Sequence, residues 1–142
     1  MGLDIFLTKK KRSEIGYFRK VNFLVRFFEK KGFDVPNQTP LAIKREDAEE
    51  LLSKCEEVLK DHSKGPELLP TMSGFFFGST DYDDYYYDDV EAVRDYVKDK
   101  LLPEFDTLEE GEDIYFETWF WYMERKYIVY KYTSPSGKVY IG

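Results

Sequence analysis

The densest chemistry in the chain is the run from Asp81 to Asp89, DYDDYYYDD, where carboxylates and phenols alternate almost without interruption. Carboxylates this close could hold a divalent cation. An EF-hand loop, however, needs a Glu at its twelfth position, and Ala92 stands there if Asp81 is first. The run could instead imitate a nucleic-acid backbone, with carboxylates in place of phosphates and tyrosines in place of bases. Its plainer reading is the acidic start of a helix, since negative charge favours the positive end of the helix dipole. Elsewhere, Arg19, Lys20 and Asn22 form a compact polar group suited to a phosphate or a carboxylate. His62 is the only histidine and Cys55 the only cysteine. That excludes a disulfide framework and a Cys-rich zinc site, and leaves His62 with no second histidine or cysteine for catalysis or metal binding. No metal site and no cofactor is expected. No GxSxG, P-loop or HExxH motif occurs.

These residues need elements to position them. Leu3, Ile5 and Leu7 alternate with polar neighbours, so residues 2–8 read as a strand. The apolar spacing from Tyr17 through Val21, Leu24 and Phe28 predicts a helix over Ser13–Lys31, stopped by Gly32. It would place Arg19, Lys20 and Asn22 within one turn. A short edge strand is expected over Pro40–Ile43. A second helix spans Arg45–Asp61, with Ala48, Leu51, Cys55 and Val58 on its buried face. Gly65-Pro66 marks a break after it. A third helix runs from about Asp84 to Leu102 and ends at Pro103. Residues Asp113–Tyr122 form an aromatic strand, with Ile114 and Phe116 on one face and Trp119 and Trp121 on the other. A strand apolar on both faces is covered on both or is an interface, so Trp119 and Trp121 join Asp84, Asp88 and Asp89 as candidate partner-binding residues, with a homodimer among the options. Tyr127–Tyr132, the turn Ser134–Gly137 and Lys138–Ile141 read as a β-hairpin.

The expected fold is therefore α+β: three helices packed on a small, mainly antiparallel sheet, with a C-terminal β-hairpin. Residues 1–123 form the main domain and 124–142 the hairpin. The size suits one domain, with 142 residues and 18% aromatics, including 12 Tyr and 12 Phe. Net charge is −7 and unevenly spread. Nine basic residues face two acidic ones between Lys9 and Lys31, while Asp81–Glu117 holds fifteen acidic and three basic. The overall acidity argues against direct DNA binding. No apolar run reaches the length of a membrane span. The basic cluster at Lys9–Arg12 comes after the first apolar stretch rather than before it, so the reading is cytoplasmic.

Two stretches carry resemblances. MGLDIFL, GYFRKVN and ELLPTMSGFFFGSTDYDDYYYDDV, within about residues 1–121, resemble a family of small bacterial and bacteriophage proteins. The resemblance brings no activity with it. It implies that Tyr17, Arg19, Asn22, residues 73–80, Tyr82 and Asp83 are signature positions. Taken together they suggest a polar ligand pocket. Arg19 and Asn22 would bind an anion, beside the backbone N–H groups of Gly74 and Gly78. Ser73, Ser79 and Asp83 complete the polar lining, and Phe76 and Tyr82 serve as walls. A nucleotide-like ligand suits that chemistry. The structural alternative is an Arg19–Asp83 ion pair pinning the first helix to the turn.

The second stretch, YIVYKYTSPSGKVYIG, is similar to the opening hairpin of a GIY-YIG endonuclease domain, with Tyr130 and Tyr140 at the two motif tyrosines. Ile128-Val129 replaces Gly-Ile, and the family's later Arg, Glu and Asn do not appear. The tail alone could not catalyse. The leading expectation is a non-catalytic, phage or mobile-element binding protein that takes a small anionic ligand or docks on a host protein. The alternatives are an accessory domain or truncated remnant of such a nuclease, and an acidic DNA mimic.

Overall fold

The computed structural model describes residues 3–7, 13–36, 39–73, 79–120 and 125–133. Its elements in order are β1 (Leu3–Leu7), β2 (Ser13–Arg19), α1 (Asn22–Glu29), β3 (Leu41–Ile43), α2 (Arg45–Lys60), α3 (Gly65–Leu68), α4 (Asp84–Tyr96), α5 (Leu102–Asp106), β4 (Glu112–Phe120) and β5 (Arg125–Thr133). The class is α+β, with α1, α2 and α4 as the longer helices.

The sheet order is β1-β2-β5-β4-β3. Neighbouring strands pair antiparallel. β1 also lies antiparallel to the second half of β4, from Leu3 opposite Phe120 to Phe6 opposite Glu117. β3 pairs with the first half of β4, Leu41–Ile43 opposite Ile114–Phe116, as an edge strand should. β5 is interior, paired with β2 on one side and β4 on the other. The β4–β5 pairing thus runs across the boundary expected near residue 123. The second arm of the expected tail hairpin lies outside the described residues.

The first helix departs from expectation. Residues Ser13–Arg19 are a strand, and only Asn22–Glu29 is helical. The apolar spacing is continuous across both, but β2 gains a hydrogen-bonded partner on each edge, and such tertiary pairing overrides a weak propensity signal. Gly16, poor in a helix, sits at an irregularity in the β2–β5 register. A Cβ there would overlap the Tyr96 ring and hydroxyl. Lys20 then takes a left-handed backbone conformation, φ 62°, and turns the chain from strand into helix.

The core forms around α1. Phe23, Leu24, Val25, Phe27 and Phe28 are all buried, so this short helix is enclosed on nearly every side. Each such side chain contributes about 1.5–3 kcal/mol by leaving water. Phe28 meets Phe116 of β4 at 4.3 Å between ring centroids, and Phe33 meets the same ring edge-on at 4.9 Å. α2 buries Ala48, Leu51, Cys55 and Val58 and packs against α4, which contributes Val90 and Val93. Burial pushes the Cys55 thiol up to about 12, as befits an inert core residue. On β4, Phe116, Glu117 and Thr118 are buried in succession, so both faces of the strand are covered there.

Pro103 does not end the third helix. α4 passes through a π-helical turn, Val97–Leu101, into α5. Pro103 is the second residue of α5, directly after the π-helical turn, and the helical run continues past it to Asp106. Gly65-Pro66 likewise opens the short helix α3 rather than a loop. Among the described residues no helix is long and apolar enough to cross a membrane.

Candidate functional site

Two strips of chain meet at the start of α4. One is Thr71–Met72 and the other Ser79–Tyr82. Asn22, the first residue of α1, holds them together. Its Nδ2 donates to Ser79 O at 2.8 Å, and its Oδ1 accepts from the Met72 N–H at 3.1 Å. The Thr71 hydroxyl donates to Thr80 O at 3.0 Å, and the Thr71 N–H donates to the Tyr82 hydroxyl at 3.1 Å. Asn22 is buried. A buried amide with partners on both ends is stabilising, whereas its removal would strand a backbone donor and acceptor.

Asp83 caps α4. Its Oδ1 accepts from the Tyr86 N–H at 3.1 Å, the usual service of an aspartate at this position. The neighbouring tyrosines bind the helix to the rest of the fold. Tyr86 is buried and its hydroxyl donates to Leu69 O at 2.7 Å. Burial holds its phenol well above the usual range. Its ring meets Phe23, Tyr82 and Tyr87 edge-on at 5.5, 4.9 and 5.0 Å. Gly65 lets this ring come close, since a Cβ there would stand 3.2 Å from it. Tyr87 stacks on His62 at 3.8 Å and donates its hydroxyl to His62 O.

Above this framework lies a pocket of about 210 Å³. Lys20, Asn22 and Phe23 wall one side. Thr71 and Ser79 form its floor strip. Asp81, Asp83, Tyr85, Tyr86 and Asp89 face them from the approach to α4 and its first turns. Tyr85, unlike its neighbours, is 81% exposed. The Asp89 carboxyl is pushed up to about 6 by its burial, with the charges of Asp88 and Asp83 adding to the effect.

The expected site residues divide. Asn22, Ser79 and Asp83 reach the pocket, and so does Asp89, which was expected on a docking face. Tyr82 stands behind the pocket as a bonded strut. Arg19 does not share a helical turn with Asn22. It lies exposed on β2 and is not part of the pocket wall, where Lys20 stands instead. No Arg19–Asp83 ion pair forms among the described residues, because Asp83 is turned to the helix end. Tyr17 is 43% exposed on β2, Ser73 is exposed, and Asp84 and Asp88 are exposed on α4. Gly74, Phe76, Gly78, Trp121 and Tyr140 lie outside the described residues, as do the side chains of Trp119 and Tyr130. The Tyr130 backbone sits in mid-sheet, opposite Glu14 and Tyr115.

Sequence reasoning missed Phe23, Thr71, Asp81, Tyr85 and Tyr86 as pocket residues. One signal was present: Asp89 follows Tyr86 by three positions and Tyr85 by four, so on a helix it neighbours both. Among the described residues no cluster of His, Cys, Asp and Glu is arranged to hold a metal ion. No protein-family model, no curated protein and no solved structure matches this chain.

Proposed function

We propose that the chain is a non-catalytic binding protein whose recognition site is the pocket between the β2–α1 turn and the start of α4. The observation that carries this reading is the composition of its wall. Two of its residues are held against local stability. Lys20 is the only non-glycine with positive φ among the described residues, a conformation that disfavours any side chain with a Cβ. Asp89 keeps a carboxylate where burial and two neighbouring charges oppose ionisation. Strained or frustrated residues gather where a surface is kept for recognition. Beneath them, Asn22, Thr71 and Tyr82 are tied into hydrogen bonds that fix the rim. A rim fixed in advance loses less freedom when a ligand arrives. Among the described residues the cation at this pocket is Lys20 rather than the expected Arg19.

The test is a titration of the protein with a library of small polar fragments, followed residue by residue through its backbone amide resonances. Saturable shifts should gather at Lys20, Asn22, Ser79, Tyr85 and Asp89. Saturable shifts gathered on another face, with these amides still, would overturn the assignment.

A further inference from the structure

We propose that the pocket selects an organic cation, a guanidinium or ammonium group on a short stem, rather than a nucleotide or other phosphate. This rests on the pocket being the recognition site. The cavity itself sets the first limit. At about 210 Å³ it is smaller than the roughly 300–1,000 Å³ of pockets that enclose drug-sized ligands. It fits a small amine or one basic side chain and is too small to enclose a nucleotide.

Charge sets the second limit. Among the described residues, Asp81, Asp83 and Asp89 line the cavity against one cation, Lys20. A phosphate placed there would meet Lys20 but also three carboxylates within the same small volume. A guanidinium or ammonium group reverses that balance. The charges that bear on Asp89 are those of Asp88 and Asp83, and Asp81 and Lys20 line the same cavity. Burial first, and then the charges of Asp88 and Asp83, raise the affinity of the Asp89 carboxyl for a proton. An arriving cation would occupy the place that a proton otherwise takes.

The walls supply the third argument. Phe23, Tyr85 and Tyr86 line the cavity beside the carboxylates. Aromatic faces attract cations and accept the apolar stem that carries them. Lys20 is left to meet an acceptor on the ligand, such as the carbonyl oxygen of an amino-acid backbone.

The experiment titrates the whole chain with argininamide and, separately, with AMP, reading the amides of the pocket at neutral pH. Argininamide should shift Lys20, Asn22, Tyr85 and Asp89 saturably, and AMP should not. The double variant Asp81→Asn, Asp89→Asn should weaken argininamide about tenfold or more, while Asp99→Asn, remote on the π-helical turn, should leave it unchanged. Lowering the pH from about 7.5 to about 5 should weaken it severalfold, as Asp89 takes up its proton. If AMP saturates these amides and argininamide does not, the cation class is wrong and the pocket stands. If neither probe moves them, the cation proposal falls, and the fragment titration alone decides the pocket. A capped peptide with one central arginine and neutral flanks separates the sources. Binding about tenfold tighter than argininamide assigns the cation to a partner protein; equal or weaker binding assigns it to a free small molecule.

Discussion

Tyr86 and Tyr85 are adjacent on α4 and serve opposite ends. Tyr86 points inward, is 5% exposed, and gives its hydroxyl to Leu69 O. Tyr85 is 81% exposed and stands at the mouth of the pocket. The same division runs through the whole region. Asn22, Thr71, Tyr82 and Tyr87 have their polar atoms in hydrogen bonds that tie chain segments together. Lys20 holds a left-handed backbone, and Asp89 a carboxylate whose ionisation burial opposes. The first group builds the neck of the site and the second forms its rim. A change in the neck should therefore cost stability, and a change in the rim should raise it.

The largest effect belongs to the neck. Asn22→Ala removes both bonds that join Met72 to Ser79 and leaves a part-buried donor and acceptor without partners. The expected loss is about 2–4 kcal/mol, read as a lower urea midpoint with an unchanged slope. A loss no greater than that of an ordinary surface substitution would erase the distinction between neck and rim.

Asp89→Asn should act in the opposite direction. In the folded protein the Asp89 carboxyl is pushed up to about 6, above the roughly 3.9 of an unstructured chain. The folded state therefore holds the proton more tightly between about pH 4 and about pH 6, and stability falls as pH rises through that window. Asparagine removes the loss. The side chain is only partly buried, which reduces the gain to about 1–2 kcal/mol at neutral pH. Below about pH 4 the gain should vanish. Thermal midpoints of the two proteins across this range check both the sign and the window.

Lys20→Gly is the smallest of the three. Glycine adopts φ 62° without penalty. Its own greater freedom in the unfolded chain offsets part of that relief, leaving a gain of about 0.5–1 kcal/mol. A lower midpoint for this variant would mean that the Lys20 side chain supports the fold.

Much of the fold was legible in the sequence. The i, i+3, i+4 pattern of Ala48, Leu51, Cys55 and Val58 placed α2 to within a residue of its end, and the aromatic alternation from Ile114 placed β4. The boundary between β2 and α1 was not legible. Tyr17, Phe18, Val21 and Leu24 satisfy a helical period, and what makes the first two a strand is the pairing of β2 with the preceding β1 and with β5, far along the chain. That one error moved Arg19 onto the wrong element and gave Lys20 a helical backbone in place of its left-handed one. Asn22, Ser79 and Asp83 were recognisable as important residues, but their partners are 57 and 50 positions away for Asn22, and only local for Asp83. A single sequence shows the local cap and not the distant clamp.

The measurement that bears most directly on this account pairs two readings on Asp89→Asn at neutral pH: its thermal midpoint and the fragment-induced shifts of its pocket amides. The account predicts a higher midpoint together with weakened binding, because the rim carboxylate is held against stability for the sake of recognition. A higher midpoint with binding unchanged would contradict it and would leave Asp89 an unfavourable surface charge with no role in the site.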